Sequence, residues 1–374
     1  MKSFYITLGI AVLLGACSSS RYNTNPTTGS VEKLIKQYNK KPEDTLALQK
    51  LVTSYNLLNR QYLLEIDELK AKNTAQSWES AAGIYNKLND LSINTAKNSE
   101  LADILKPQNY TDDIAYARLQ SADLYYYKAT GLLDADNWRD ARSAYSYFGK
   151  VKNIGGNYKD VNQLLTEAKA AGTLDIVVQP LRSEGLFSNV NYLSLQRNQL
   201  AEQLVNDMGG SWNSNQWYRT YTANNYNNNS VDPDWVAEPV WTNWRISPVQ
   251  SRTYKREVSK QIETGKDSLK RPIYKTVRAV LTITETSLQA EGTMELRIAD
   301  VKTQSSAGRT SWTENYIWKQ SFATFKGDED ALSNEDLNLV RKPKERVPGE
   351  DKMQLLVMQK IYPDMLRWFR SMAD

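Results

Sequence analysis

Leu174-Asp175-Ile176-Val177-Val178-Gln179-Pro180-Leu181 is where the chain changes character. A β-branched run closed by proline is the pattern of a buried strand, and Gly172, just before it, stands where a helix ends. Upstream of this run the periodicity is helical, and downstream it is mostly that of strands. The expected fold is α+β: a helical-repeat domain over residues 31–171, then an α/β domain with a mainly antiparallel sheet and closing C-terminal helices over 172–374. A length of 374 residues also favours two domains.

Downstream, Asn191 to Met208 predicts an amphipathic helix closed by Gly209-Gly210. Strands are expected over Trp235–Trp244 and Arg252–Glu263. A further strand, Ile273–Thr286, sets Val277, Ala279, Leu281 and Ile283 on one face. A turn at Glu291-Gly292 then leads to a strand through Met294, Leu296, Ile298 and Val301, and Ile317–Phe325 is the last. Closing helices are expected over Asp328–Val340 and Lys352–Met372, the second kinked at Pro363.

Upstream, Val31, Leu34, Ile35 and Tyr38 recur at helical spacing, as do Leu48, Leu51, Val52 and Tyr55, with Pro42 in the first turn of that second helix. Leu63, Leu64, Ile66 and Leu69 suggest a third. Two segments are alike. Trp78-Glu79-Ser80-Ala81-Ala82-Gly83-Ile84-Tyr85 and Trp138-Arg139-Asp140-Ala141-Arg142-Ser143-Ala144-Tyr145 both set an aromatic, a small residue and an aromatic along one helix face. A neighbouring helix can approach at the alanine while the rings clamp either side. The pattern resembles the second helix of a tetratricopeptide repeat, with Ala115, Leu119, Ala122, Tyr125 and Tyr126 on the partner helix. Gly155-Gly156 replaces the repeat's usual closing proline, and a last helix, Tyr158–Ala170, would cap the array. A generic helical bundle fits the same residues. Either is a docking or spacing device.

In the second half, Ile176–Leu181, the helix around Leu200 and Leu204, Asp234-Trp235-Val236-Ala237-Glu238 and Leu296-Arg297-Ile298-Ala299-Asp300-Val301-Lys302-Thr303 follow in an order similar to the periplasmic α/β domain of curli-secretion and penicillin-binding-protein-activator lipoproteins. Gln304 stands where that family has glycine, and no membrane-inserting hairpin is evident. The resemblance implies a binding or assembly domain without a carried-over active site.

The N-terminus reads as an address. Lys2 precedes an apolar run from Phe4 to Leu14, too short to span a membrane, and Ser18-Ser19-Ser20 follows at once. Leu14-Gly15-Ala16-Cys17 resembles the lipobox of bacterial lipoproteins. It implies a signal peptide over residues 1–16 and a lipid-modified Cys17 at the new N-terminus, leaving a flexible tether over 17–30. Ser18, in place of an aspartate, implies an outer-membrane destination, and the lack of an acidic cluster favours its periplasmic face.

Composition excludes much chemistry. The chain has no histidine and one cysteine, so histidine-based triads and most zinc sites are excluded. No phosphate-cradling glycine loop is present. A net charge of +4 is too weak and dispersed to imply a nucleic-acid partner. The expectation is no enzyme, no metal and no cofactor, although two carboxylates could still serve a glycosidase and a serine with a lysine a hydrolase. Trp212, Trp217, Tyr218, Tyr221, Trp235, Trp241 and Trp244 form an aromatic segment among asparagines. Flat rings stack on sugars and amides bind hydroxyls, so these are the candidate contacts for a glycan or protein partner; they read better as packing a sheet core or a partner interface than as a sugar platform. Asp44-Thr45-Leu46 and Asp267-Ser268-Leu269 resemble an O-glycosylation triplet but read better as chance. The expected function is a non-catalytic outer-membrane lipoprotein acting as scaffold or assembly factor for envelope proteins. The alternative is a glycan- or peptidoglycan-binding lipoprotein using residues 212–244.

Overall fold

The structure is a computed structural model and describes residues 25–184, 194–211, 216–226 and 232–374. Cys17, with the expected signal peptide, and Trp212 lie outside the described residues. The chain divides into two compact units, Met1–Ala171 and Gly172–Asp374.

The first unit is helical: α1 (Thr28–Lys40), α2 (Thr45–Lys72), α3 (Ala75–Ala96), α4 (Ser99–Leu105), α5 (Thr111–Leu133), α6 (Trp138–Gly155) and α7 (Val161–Ala171). Short polar side chains set the starts. Thr27 and Thr74 each close a capping box with a serine three residues on. Asp44 caps α2 by accepting the Ala47 N–H at 2.9 Å. Pro42 therefore precedes the cap rather than occupying the first turn. No glycine or proline interrupts Thr45–Lys72, so the two helices expected there are one.

The paired segments fall on α3 and α6. Trp78, Ala81 and Tyr85 are buried on α3, and Ala141, Ala144 and Phe148 on α6, but Tyr145 faces solvent. Helix α5 packs against both helices with Ile114, Ala117, Ala122, Tyr125 and Ala129 inward. Ala115 and Leu119, expected on that stripe, are exposed. The stripe turns because α3 seats against the small residues Ala117 and Ser121. The Ser121 hydroxyl donates to the Ala75 carbonyl at 2.8 Å, and Tyr125 donates to Glu79 at 3.0 Å. Burial, then Glu79, pushes the Tyr125 phenol up to about 12. Helix α6 ends at Gly155, and Gly156 takes the positive φ that ordinary residues avoid.

The second unit holds the strands β1 (Leu174–Val178), β2 (Arg182–Ser183), β3 (Tyr218–Thr222), β4 (Trp235–Ile246), β5 (Gln250–Lys266), β6 (Pro272–Asp300) and β7 (Ser305–Gly327). Its helices are α8 (Ser194–Asp207), α9 (Ala223–Tyr226), α10 (Asn334–Arg341) and α11 (Glu350–Ala373), with a short 3-10 turn at Glu329–Ala331. The sheet runs β3-β1-β4-β6-β5, with β2 beside β4 and β7 beside β6. It is mixed, not mainly antiparallel as expected: β1 pairs with β3 and β4 in parallel, and β2 with β4 in parallel. The segment between β1 and β3 carries α8, and a crossover of that length permits a parallel pair. Pro363 lies within α11, which runs on from Glu350 to Ala373.

Strand β6 organises this unit. Its first half pairs with β5 and its second half with β4 along one edge, while β7 runs along the other. Burial changes face midway. Val277, Ala279, Leu281 and Ile283 are buried beneath α10 and the 3-10 turn, with Leu332, Leu337 and Val340. Leu288, Ala290, Met294, Leu296 and Ile298 are buried with the opposite parity. Successive side chains of a strand point to opposite faces, so the two halves of β6 are covered from opposite sides. The second cover is α11, whose Trp368 and Met372 meet Gly308 of β7.

No turn forms at Glu291-Gly292; β6 runs straight through. The glycine answers a different need. A register shift at Thr242 brings Trp241 and Trp244, three apart, onto one face of β4. Their rings meet edge to face at 5.7 Å directly over Gly292, where a Cβ would lie 2.6 Å from Trp241. At the turn from β6 to β7, Gln304 adopts φ 53°, the left-handed conformation a glycine would supply. Asp300 holds that turn by accepting the Thr303 N–H at 2.7 Å.

Candidate functional site

A polar pocket of about 540 Å³ opens on the sheet face opposite α11. It is lined by Glu184, Thr242, Thr293, Glu295, Arg297, Arg309, Thr310 and Ser311. Strand alternation places Thr293, Glu295 and Arg297 on this face of β6, since Met294 and Leu296 turn the other way into the core. Glu184 is brought in by the short β2–β4 pairing and by its own N–H, which donates to the Trp241 carbonyl at 2.9 Å.

The charges interlock. Arg297 grips Glu184 with two bonds, Nη1 to Oε1 at 2.6 Å and Nη2 to Oε2 at 2.9 Å. The same Nη2 reaches Glu295 at 2.9 Å, and Arg309 lies across Glu295 from β7. Glu238 adds an ion pair with Arg182 at 3.8 Å. Two-pronged guanidinium–carboxylate pairs fix orientation as well as charge. The Arg297 hydrogen bond holds the Glu184 carboxyl below the usual carboxylate range and raises the guanidinium in return. Glu295 is buried and Arg309 largely exposed, so Arg309 forms the solvent-facing rim of the pocket. Among the described residues no group of three or more carboxylate, cysteine or histidine side chains is placed to hold a metal ion.

A second charged centre lies at the start of β1. Asp175 is buried and takes two bonds from Arg219, Nε to Oδ1 and Nη2 to Oδ2, both 2.6 Å, and a third from the Tyr221 hydroxyl at 3.3 Å. Arg219 and Tyr221 share a face of β3 by their spacing of two. Burial, then Asp175, raises the Tyr221 phenol. Asp234 accepts the Asp175 N–H at 2.8 Å. Burial, with Asp175 and Asp300 nearby, raises its carboxyl.

The structure does not gather the aromatic segment into one exposed platform. Tyr218, Tyr221, Trp235, Trp241 and Trp244 are all buried. Trp244 also ties β4 to α11 by donating to Glu350 at 2.8 Å. Trp217 is half-buried before β3. Sequence reading weighed the rings and passed over the charged residues between them. The signal for the pocket was the alternation Glu295-Leu296-Arg297 inside an apolar strand, two charges where one buried face and one open face alternate.

No family model matches the chain, and no curated protein matches it. Among solved structures, a crystal structure of a protein named as a neuraminyllactose-binding hemagglutinin homolog from Helicobacter pylori aligns with 52% of this chain and 84% of its own. The identity is 10% and the TM-score 0.23, too low to bear on fold or function.

Proposed function

We propose that this chain is a non-catalytic lipoprotein of the outer membrane, anchored through Cys17 and facing the periplasm, that acts as a scaffold or assembly factor for envelope proteins. The observation that carries the reading is the state of the pocket. Glu184 and Glu295, the two carboxylates of its lining, each have a guanidinium partner. Carboxylates tied in this way hold a shape, and Arg297 keeps the Glu184 carboxyl below the usual carboxylate range, whereas glycoside hydrolysis needs one carboxyl raised to donate a proton. Asp234, whose carboxyl is raised by burial, precedes β4 and lies outside the pocket lining. The helical unit is read as a tetratricopeptide-like array that presents a face to a protein partner, supported by the small and aromatic stripes of α3, α5 and α6.

Cross-linking in membranes followed by affinity capture should return a defined set of envelope proteins; recovery of the bait alone, or turnover of cell-wall material by purified protein, would sink the reading. Labelled palmitate should enter the wild-type chain and not Cys17→Ala, and label retained in that variant would refute the anchor. A second reading, glycan binding, draws on the hydroxyls of Thr242, Thr293, Thr310 and Ser311 beside the charged groups of the pocket. It expects calorimetric binding of soluble peptidoglycan fragments that is lost in Arg309→Ala.

A further inference from the structure

The modest net charge of the chain hides a strong local one. From Gln250 to Arg278, β5, the turn and the start of β6 carry nine lysines and arginines against three acids, Glu257, Glu263 and Asp267. That is +6 in one hairpin, while the whole chain is +4, so all other residues together sum to −2. The hairpin also leaves the body of the sheet. Strand β7 stops pairing at Gly327 opposite Ala279, and beyond it Ser259–Lys266 and Pro272–Arg278 pair only with each other. Ile262 and Val277 still pack on the cluster with Leu332, Leu337 and Val340, and at about 3.3 Å per residue the Lys266–Pro272 end stands roughly 13 Å beyond Ile262. Lys260, Lys266, Lys270 and Lys275 make no ion pair among the described residues, whereas Arg256 is taken by Asp336 of α10 and Arg271 by Asp267.

The tip is apolar as well as basic, and its turn is hydrogen-bonded. Leu269 is 70% exposed, and Ile273 and Tyr274 are also exposed. The Asp267 carboxylate organises the turn. It accepts the N–H groups of Leu269 and Arg271 at 2.8 and 2.9 Å and the Arg271 Nε at 2.8 Å, and Lys270 takes a left-handed backbone at φ 62°. Leucine on a built turn, bracketed by lysines and a tyrosine, combines apolar insertion with cationic attraction. Nucleic acid would use the cations and leave Leu269 and Ile273 idle; an anionic bilayer surface uses both. Lys, Arg and Glu lie on both faces of the hairpin, so it cannot run through the hydrocarbon region as a barrel strand does.

We infer that the β5–β6 hairpin is a membrane-docking arm that seats its Leu269–Tyr274 tip in the interface of a bilayer bearing anionic headgroups. This contact is separate from Cys17 and stands without acylation.

The test is co-sedimentation of the chain from Ser18 onward, made without acyl groups, with vesicles of phosphatidylcholine alone or mixed with phosphatidylglycerol. Binding is expected only to the mixed vesicles, weakening as salt rises. Each lysine near such a surface is worth about fivefold in partition, so Lys266→Gln with Lys270→Gln and Lys275→Gln should reduce it by about a hundredfold. Leu269→Ser with Ile273→Ser should reduce it by at least about tenfold. All five side chains are exposed, so circular dichroism and the thermal midpoint should not move. Absent wild-type binding to the mixed vesicles overturns the inference, as does binding indifferent to the lysines. Binding to single-stranded DNA that outcompetes the vesicles and ignores the Leu269 and Ile273 changes would assign the arm to nucleic acid and likewise overturn it.

Discussion

Replacing Gly292 by alanine puts one methyl group under two indoles. The added Cβ would sit 2.6 Å from Cζ3 of Trp241 and 2.9 Å from Cε3 of Trp244. Carbon atoms in contact prefer about 3.5–4.0 Å, so one ring or the strand must give by about 1 Å. Neither ring has room, as both are 4% exposed. Trp244 is also held at its far end by the bond to Glu350 of α11, and moving it weakens a charge-assisted hydrogen bond. Overpacking of this kind costs about 1–3 kcal/mol, and the tie to α11 places the expectation near the upper end, about 3 kcal/mol. For a unit of this size that is roughly 6–12 °C in midpoint. Scanning calorimetry with tryptophan fluorescence in urea would measure it. The helical unit serves as an internal reference, because its own transition should not move. A second variant sharpens the reasoning: with Trp241→Leu already in place, Gly292→Ala should cost much less, because the nearest clash is gone. A midpoint within about 1 °C of wild type, or equal costs in the two backgrounds, would refute the account of why glycine stands there.

Two further changes probe the other centres. Phe148→Ala empties a fully buried site between α5, α6 and α7, and should destabilise the helical unit by about 3–5 kcal/mol while the transition of the sheet unit stays put in the same calorimetric trace. Asp234→Asn should stabilise the sheet unit at neutral pH, since an amide oxygen can still accept the Asp175 N–H without a half-buried charge. Here the sign is set by the folded carboxyl lying above its ordinary 3.8. The folded state then binds more protons than the unfolded one, so this group's contribution falls as pH rises through the interval above 3.8. The difference in urea stability between Asn and Asp should therefore be smallest in acid, grow through that interval and then level off; a difference that shrinks with rising pH would contradict it.

How much of this was legible in sequence depended on what each residue answers to. The strand through Val277, Ala279, Leu281 and Ile283 was readable because its partner on one face is continuous, and all four are buried as the alternation requires. Gly292 misled because a glycine between two apolar runs is usually a turn, and here it is a close approach forced by residues some fifty positions away. The mixed sheet was hidden for a similar reason. Parallel and antiparallel pairing of β1 depend on where the chain returns, which local periodicity does not record. The candidate site was misjudged in kind. Rings drew attention because they are rare and large, yet burial consumed most of them. The pocket is instead built from Glu and Arg residues that singly look like ordinary surface. The basic arm escaped because net charge was summed over the chain, and a sum conceals position.

The change of buried face along β6 has a mechanical consequence. One continuous strand runs from the base of the arm, beneath α10, to the floor beneath α11, so a load applied at the tip has a direct route into both halves of the sheet unit. Ladder hydrogen bonds in an antiparallel pair lie across the strand direction. A pull along the strand axis strains many of them together, whereas a sideways tug at the tip opens them singly, like a zip. The sheet unit should therefore resist tension along the arm and yield to peeling, a directional compliance that suits a part held at one end by a surface that moves.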